Sequence, residues 1–198
     1  MELRIAIEHL ELDYSLWLIY EYINASILIQ GGIIYTNIDN ERVKKILARY
    51  GEVYSESIKD LYRDIDLIIL DPKAREELEP DDIDRETVIV VGGILGDNPP
   101  KGRTYKLLTS RIPWARSRNL GDKQMSIDGA VYTAYLISKG YRIKDIKFID
   151  NLNIIGKDFE VILPYRYPLK ENKPILSYTI NKIVKEIGIF ESYWMKTL

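Results

Sequence analysis

The residues with the clearest chemical potential form a glycine-rich loop, residues 92–100, directly after an apolar run that predicts a buried strand. Glycines let a ligand approach the backbone, so free amides here could bind the edge of an adenine or a carboxylate. The spacing is not that of Gly-x-Gly-x-x-Gly, and no Gly-Lys-Ser/Thr follows as in a P-loop. The pattern alone leaves a ligand loop and a tight structural turn as equal alternatives.

Two later segments could form other walls of a site. Residues 118–130 lead into a predicted helix N-terminus, where unpaired amides favour anions, although capping is the commoner role of Ser126 and Asp128. Residues 163–168, Leu-Pro-Tyr-Arg-Tyr-Pro, follow the last predicted strand. They predict either a rigid loop with Arg166 stacked on tyrosine or the wall of a pocket.

Basic residues cluster in the middle of a chain that is otherwise slightly acidic. The chain has 28 basic and 30 acidic residues and a formal charge of −2, which argues against general wrapping of nucleic acid. Between Asp97 and Gln124, only Asp97 and Asp122 oppose a local basic excess, which indicates either phosphate binding or a solvated loop. The basic cluster consists of Lys101, Arg103, Lys106, Arg111, Arg116, Arg118 and Lys123.

Composition excludes several classes of enzyme. There is no cysteine, so disulfides, thiolate nucleophiles and cysteine metal sites are absent. The one histidine, His9, follows Glu8 at the end of the first predicted strand; a histidine-rich zinc site is excluded, and no metal is expected. A lone histidine is more often structural than catalytic. No serine lies in a Gly-x-Ser-x-Gly elbow, which argues against a nucleophilic hydrolase.

The elements that must position these residues alternate between strand and helix. Apolar runs at 67–70 and 88–91 are typical of strands buried on both faces, which favours a mostly parallel sheet flanked by helices. Residues 94–125 show little periodicity and predict a long functional loop. Strands are predicted at 3–7, 33–36, 67–70, 88–91, 147–149 and 160–163, and helices at 15–27, 41–50, 126–139 and 177–187.

In the first helix, the predicted buried face consists of Leu16, Ile19, Tyr20 and Ile23. Ligands of parallel α/β sheets bind beyond the carboxyl ends of the strands. We therefore expect Asp71 and Pro72, the Gly92 loop and the Pro164 loop to meet at one edge of the sheet.

Length and hydropathy predict one domain over residues 1–198, with 46% hydrophobic and 29% charged residues. No apolar run reaches the roughly 20 residues that span a bilayer. The first residues lack the features of a signal peptide. We expect a cytoplasmic protein with no membrane partner.

The order of several short motifs resembles one branch of the SPOUT superfamily of α/β-knot methyltransferases. This branch contains the eukaryotic ribosomal-protein arginine methyltransferase and its archaeal relatives. The specific match is Gly-Gly-Ile-Leu-Gly-Asp-x-Pro-Pro at 92–100, and it is followed by Arg103-Thr104 and by 118–121. The weaker motifs agree in order across nearly the whole chain: Gln124-Met125, Ile7-Glu8-His9, residues 70–73 and residues 164–167.

The resemblance implies a C-terminal trefoil knot, an exception to the rule that chains are unknotted. It also implies S-adenosylmethionine as cofactor and an arginine of a ribosomal protein as methyl acceptor. Both a homodimer and a monomer remain open. The implied cofactor-binding residues are Asp71, Pro72, Gly92, Gly93, Ile94, Leu95, Gly96, Asp97, Asn119, Leu120, Gly121, Gln124, Met125, Ser126, Pro164 and Tyr165. The implied substrate-binding residues are His9, Lys101, Arg103, Arg118 and Arg166.

A carboxylate that orients the guanidinium and helps to remove its proton would assist methyl transfer. Asp97 is the first candidate, with Glu8 and Asp128 as the others; Asp97 could equally hydrogen-bond the amides of its own loop. Lys101-Gly102, Ile127 and Gly129 depart from the family pattern and bear more on the substrate than on the cofactor. The alternatives are a SPOUT methyltransferase for rRNA or tRNA and a non-catalytic module that binds RNA or the ribosome.

Overall fold

A computed structural model describes residues 3–63, 65–155 and 160–176. Six parallel strands form the central sheet in the order β3-β2-β1-β5-β4-β6. A separate antiparallel sheet has the order β7-β8-β9. The strands are β1 (Arg4–His9), β2 (Ile33–Thr36), β3 (Gly51–Val53), β4 (Leu67–Leu70), β5 (Val88–Gly93), β6 (Arg116–Arg118), β7 (Phe148–Ile155), β8 (Glu160–Lys170) and β9 (Lys173–Pro174).

Helices cover both faces of the parallel sheet. On one face, α1, α2 and α5 pack on alternate side chains of the strands, such as Ile7, Ile68 and Val91. On the other face, α3 and the segment after α4 pack on Ala6 and Ile69. The helices are α1 (Leu16–Ile29), α2 (Glu41–Leu47), α3 (Ile58–Leu61), α4 (Arg103–Leu107) and α5 (Ile127–Ser138), with single 3₁₀ turns at Pro80–Asp82, Thr109–Arg111 and Ile143–Asp145.

The predicted mostly parallel sheet flanked by helices is confirmed. The register pairs β5 with both β1 and β4, so the carboxyl ends of these strands share one edge. Predicted helix starts are also confirmed: Asn40 accepts from the amides of Arg42 and Val43, and Ser126 accepts from Gly129 N. These polar side chains satisfy amides that the first helical turn leaves unpaired.

The structure corrects three sequence predictions. Residues 94–125 are not one long loop, because they contain α4 and the edge strand β6. The strands predicted at 147–149 and 160–163 exist, but they are longer and pair antiparallel in the second sheet. The sequence underestimated the length of these strands because polar residues such as Asp150 and Arg166 interrupt the apolar runs.

The predicted buried face of α1 was also wrong. Of its four residues only Ile19 is buried, whereas Leu18, Glu21, Tyr22, Ala25 and Ser26 are the other buried residues of this helix. The helix predicted at 177–187 lies outside the described residues.

Candidate active site

A cavity of about 470 Å³ lies beyond the carboxyl ends of β4 and β5. Small-molecule sites usually occupy about 300–1,000 Å³. The segments expected to meet there do meet, because Asp71 follows β4, Gly92 ends β5, and Pro164 approaches from β8. The expected cofactor residues that line it are Asp71, Pro72, Gly92, Ile94, Leu95, Gly96, Asp97, Leu120, Gly121, Gln124, Met125, Ser126 and Pro164. We call this space the strand-end cavity.

The glycine-rich loop is held against β8 by close backbone contact. Tyr165 Oη donates a hydrogen bond to Gly96 O at 2.7 Å. A Cβ atom on Gly96 would lie 2.4 Å from Tyr165 Cε1, so no other residue fits there without a shift. A Cβ on Gly92 would meet its nearest neighbour, Thr104 Cγ2, at 3.6 Å, which is ordinary contact. Gly96 is therefore required for packing, whereas the position of Gly92 has room for a Cβ atom.

One arginine ties this loop to the rest of the cavity wall. Arg103 Nε donates to Asp97 Oδ2 at 2.7 Å, and its Nη1 donates to both carboxylate oxygens of Glu11 at 3.0 Å. Its Nη2 donates to Leu95 O, and Leu95 N donates to Glu11. The planar guanidinium thus uses its fixed fork of donors to clamp residues 95–97.

The clamp changes the role that the sequence suggested for Asp97. Burial opposes ionisation of this carboxyl, but hydrogen bonds from Lys101 and Arg103 outweigh burial and lower the pKa of Asp97. Its oxygens bind these two side chains rather than the amides of its own loop. Both carboxylate oxygens of Asp97 are occupied by ion pairs with Lys101 and Arg103, so Asp97 is poorly suited to accept a proton.

A second cavity of about 480 Å³ adjoins the first. The two share six lining residues: Ile94, Leu95, Gly96, Met125, Ser126 and Pro164. The remaining wall comes from α1 and β8 and consists of Ser15, Trp17, Glu21, Ile162, Leu163 and Tyr165. We call this space the α1–β8 cleft.

Glu21 is the ionisable group of the cleft, and it is only 4% exposed. Trp17 Nε1 donates to its Oε1 at 2.5 Å, and Ile127 N donates to its Oε2 at 2.8 Å. Burial, followed by the nearby charge of Asp128, raises the pKa of Glu21 to about 8. No lysine or arginine of the described residues forms an ion pair with it. A carboxyl that titrates near neutral pH is suited to proton transfer.

The structure does not bring Glu8 or His9 into either cavity. Glu8 is buried and accepts hydrogen bonds from Thr36, Ser57 and the Ile58 amide, so it joins β1 to its neighbours. His9 Nδ1 lies 3.0 Å from Tyr22 Oη. Burial lowers the pKa of His9 to about 4, so its ring stays neutral. Both residues have structural hydrogen-bond partners, and neither lines either cavity.

Four other residues expected to bind the cofactor or act in catalysis, and the expected substrate-binding residues Arg118 and Arg166, also lie outside the walls of the strand-end cavity. Gly93 packs against Tyr22, and Asn119 hydrogen-bonds Ala74 O and Gly121 N. Tyr165 lines the α1–β8 cleft instead. Asp128 lies in the first turn of α5.

The basic cluster is largely neutralised by acids of the same chain. Lys101 and Arg103 line the strand-end cavity, but both pair with Asp97. Of the seven residues, only Lys106 and Arg111 form no ion pair with the described residues. Arg116 and Arg118 share Asp82, at 3.0 and 2.8 Å.

Arg166, also expected to bind substrate, pairs with Asp150 at 2.8 Å and Asp122 at 3.2 Å. Lys123 shares Asp150. These pairs fasten β8 to β7 and to the segment before α5. The side chain of Arg166 is therefore occupied within the protein rather than directed into a cavity.

The described part of the chain lacks the features of a metal site and of a membrane span. It holds no group of three or more histidine, aspartate and glutamate side chains placed to bind a metal ion. None of its helices is both long and apolar enough to cross a membrane.

Sequence reasoning missed Trp17, Glu21 and Glu11. The available signal was Glu21 itself, the one acidic residue in an otherwise apolar helix sequence. A tryptophan four residues earlier lies on the same helix face, so its N–H can reach that carboxylate. Glu11 carries no such signal, because its partner Arg103 is far away in the sequence.

Comparison with known proteins shows the family of this chain. The family model of protein arginine N-methyltransferase SFM1-like proteins matches residues 4–188. Protein arginine N-methyltransferase SFM1 of Saccharomyces cerevisiae is 35% identical over 91% of this chain and 93% of its own length. The crystal structure of the yeast arginine methyltransferase SFM1 complexed with SAM has a TM-score of 0.82 and 32% identity, covering 94% of this chain and 92% of the other.

A more distant structure shares the fold. Dual-specific Trm10 from Thermococcus kodakaraensis has a TM-score of 0.56 and 17% identity, covering 72% of this chain and 96% of its own. The expected SPOUT methyltransferase architecture is confirmed.

Proposed function

The chain belongs to the SFM1-like family of protein arginine N-methyltransferases, and from that premise we propose that it methylates an arginine side chain of a ribosomal protein. S-adenosylmethionine is the methyl donor, in keeping with the yeast structures in complex with SAM, SAH and MTA. The observation that carries the proposal is the buried carboxyl of Glu21 in a cleft that adjoins the strand-end cavity.

The strand-end cavity fits the cofactor in size and lining. Apolar side chains such as Leu70, Val91 and Leu120 suit the adenine and the carbon chain. Asp122 on the same wall has a side chain that is 78% exposed and suits a cationic group of the cofactor. The residues that would hold it are the expected cofactor residues of this cavity, with Arg103 fixing the loop at 95–97.

The α1–β8 cleft suits an arginine side chain. A guanidinium group keeps its positive charge throughout the working pH range. Trp17 and Tyr165 supply aromatic faces that attract cations, and Glu21 supplies a carboxyl without a cationic partner in the described chain. The cleft therefore offers both attraction for the guanidinium and an acceptor for its proton.

Methyl transfer requires in-line alignment of the nucleophilic nitrogen with the methyl carbon. S-adenosylmethionine supplies a methyl on positive sulfur, and as the new N–C bond forms, the S–C bond breaks with its electrons left on sulfur. Glu21 accepts the proton that the guanidinium nitrogen loses and later passes it to water. The methylated arginine keeps one positive charge, so charge and atoms balance.

Charge distribution gives less support to RNA as the acceptor. Most of the basic cluster is used in internal ion pairs, and the cleft itself is acidic rather than basic. RNA binding relies on free cations that neutralise phosphates. A ribosomal protein, being basic, complements an acidic cleft.

Four other sequence expectations stay part of this proposal. The C-terminal trefoil knot follows from the family resemblance, and so does the choice between a homodimer and a monomer. Residues 1–198 are expected to form one domain. A cytoplasmic location is consistent with a ribosomal substrate and with a chain that has no cysteine.

The test uses the purified protein, S-adenosylmethionine labelled in its methyl group, and two acceptor pools from the same ribosomes. One pool contains the ribosomal proteins and the other the rRNA, and tRNA is tested separately. We expect label in one protein band, and methylarginine after complete hydrolysis. Label confined to RNA, or to an amino acid other than arginine, would overturn the proposal.

A further inference from the structure

Asp128 is 1% exposed in the first turn of α5, and it follows Ile127, whose amide donates to Glu21 of the α1–β8 cleft. Its Oδ2 accepts a hydrogen bond from Asn24 Nδ2 at 2.7 Å, and its Oδ1 accepts one from Gly129 N at 2.8 Å. It lines neither cavity, so it cannot touch an arginine bound in the cleft without a rearrangement. Any role in the reaction must therefore act through another group.

Glu21 and Asp128 meet around the same helix end. Glu21 accepts from the amide of Ile127, the residue immediately before Asp128. Asn24, which binds Asp128, lies three residues after Glu21 and hence on the same face of α1. One face of α1 thus carries Glu21 and also hydrogen-bonds Asp128 through Asn24.

Capping accounts for only part of the contacts of Asp128: it accepts from Gly129 N and from the side chain of Ser126, but it also accepts from Asn24 of α1. Ser126 already accepts from Gly129 N, the usual duty of an N-cap side chain. Neither buried carboxyl has a lysine or arginine partner within 3–63, 65–155 or 160–176, although buried carboxylates are normally paired. Two unpaired buried acids are costly, and such costs concentrate at functional sites.

Building on the proposed arginine methylation, we propose that Asp128 is a positioning residue for that reaction. Its negative charge near Glu21 keeps the Glu21 carboxylate basic enough to take the proton of the arginine nitrogen. The same charge adds to the attraction of the cleft for a guanidinium. Asp128 itself exchanges no proton with the substrate.

Of the ionisable side chains that face Glu21, Asp128 is the one whose charge can influence the pKa of Glu21. Burial and then Asp128 raise the pKa of Glu21, and burial raises the pKa of Asp128 as well. Tyr22 from α1, with Tyr165 and Tyr167 from β8, also lies within electrostatic reach of Glu21. Burial raises the pKa of each of these tyrosines, so they stay neutral at working pH. Asp128 is therefore the neighbour whose charge can change the titration of Glu21.

The first test measures the titration of Glu21 without any substrate. The protein is labelled with ¹³C at the glutamate side-chain carboxyl, and the Glu21 signal is assigned by its loss in Glu21→Gln. In Asp128→Asn we expect the midpoint of this signal to fall by about 1 pH unit or more, because a like charge has been removed. Asp145→Asn, which removes an exposed carboxylate elsewhere, controls for overall charge and should leave the midpoint unchanged.

The second test follows methyl transfer to ribosomal protein against pH. The acidic limb of kcat in Asp128→Asn should move to lower pH with the Glu21 midpoint, while its upper plateau falls about 10-fold because the base is weaker. Affinity for S-adenosylhomocysteine should not change. A purely structural Asp128 would lower stability but leave both the midpoint and the limb in place, and that result overturns the inference.

The two levels of the proposal fail separately. Label confined to RNA in assays of the wild-type protein would remove the proposed function itself, whereas full turnover by Glu21→Gln on ribosomal protein would remove the role of Glu21 as proton acceptor and, with it, the role of Asp128. An inactive Glu21→Gln together with a wild-type pH limb in Asp128→Asn would remove only the role of Asp128. If Asp128→Asn does not fold, Asp128→Ser keeps a small acceptor beside Gly129 N and removes the charge, and the same two measurements decide.

Discussion

The strand-end cavity and the α1–β8 cleft share one wall but are built on different principles. The cavity collects loops that follow parallel strands, and its charged side chains, such as Asp97 and Arg103, are paired with each other. The cleft lies between a helix and an antiparallel hairpin, and its buried Glu21 has no cation among the described residues. The strand-end cavity, whose charged side chains pair with each other, suits a resident cofactor. The α1–β8 cleft, whose carboxyl has no cationic partner in the described chain, suits an incoming cation.

The largest expected effect comes from filling the strand-end cavity. Gly92→Trp should weaken binding of S-adenosylhomocysteine more than about 100-fold, because an indole would occupy the space beside Gly92. Isothermal titration calorimetry measures the loss. Gly92→Ala is the matched control and should bind normally, since an added Cβ meets nothing closer than 3.6 Å. Wild-type affinity in the tryptophan variant would place the cofactor elsewhere.

A smaller effect is expected from one hydrogen bond in the cleft. Trp17→Phe keeps an aromatic ring but removes the N–H that donates to Glu21 at 2.5 Å. Because this bond favours the ionised form, its loss should raise the pKa of Glu21 above about 8 and shift the acidic limb of turnover to higher pH.

We also expect kcat/KM of Trp17→Phe to fall about 10-fold, as for loss of a charge-assisted hydrogen bond. Cofactor affinity should be retained, which separates the cleft from the cavity. The matched control is Trp114→Phe, because Trp114 is 50% exposed and lines neither space. Equal effects of the two substitutions would argue that Trp17 acts only through general packing.

Sequence reasoning succeeded for the cavity and failed for the cleft for a physical reason. Continuous apolar strands predict a parallel sheet, and such a sheet determines where its loops converge. The meeting of Asp71, Gly92 and Pro164 could therefore be predicted from the sequence. The cleft depends on which face of α1 turns inward. The predicted face of Leu16 and Tyr20 was wrong because apolar residues surround the whole helix, so periodicity carried little information.

Ion pairing was equally hidden from the sequence. The basic cluster looked free because its acidic partners Asp66, Asp82 and Asp150 lie outside residues 97–124. The position of β6 beside β4 brings Arg116 to Asp66 and both Arg116 and Arg118 to Asp82. Such pairings depend on strand order, and one chain without its topology does not reveal them.

Stability should show the cost of leaving Glu21 unpaired. The folded protein holds the proton of Glu21 up to a pKa of about 8, whereas the unfolded chain releases it near the ordinary value of 4.5. The folded state therefore binds more protons between these values, and stability should fall as pH rises from about 5 to 8. The slope contributed by one proton is at most about 1.4 kcal/mol per pH unit.

Glu21→Gln should flatten this slope, so that the variant gains stability relative to wild type at pH 8 but not at pH 5. Urea unfolding at both pH values measures the change. Glu86→Gln, at an exposed position, is the control and should keep the wild-type slope. A wild-type slope in Glu21→Gln would mean that Glu21 ionises normally in the folded protein.

The smallest expected effect concerns the paired cations. Asp82→Asn should lower the free energy of unfolding by about 1–2 kcal/mol, because Arg116 and Arg118 lose a shared partner that is 14% exposed. It should also increase RNA affinity at low salt, since Arg116 and Arg118 keep only Asp66 and Glu76 as acidic partners and each becomes more available to phosphates. Asp81→Asn, at the exposed neighbouring position, should change neither quantity. Unchanged RNA binding would indicate that these arginines face away from any RNA surface.

The most direct test of the account compares two readouts in Glu21→Gln. Methyl transfer from labelled S-adenosylmethionine to ribosomal protein reports on the function of the α1–β8 cleft. Calorimetric binding of S-adenosylhomocysteine reports on the integrity of the strand-end cavity. The account predicts that turnover falls at least about 100-fold, the usual scale for loss of a general base, while the Kd for S-adenosylhomocysteine stays within about 2-fold of wild type. Normal turnover in this variant would contradict the assignment of Glu21 as proton acceptor and of the cleft as the arginine site.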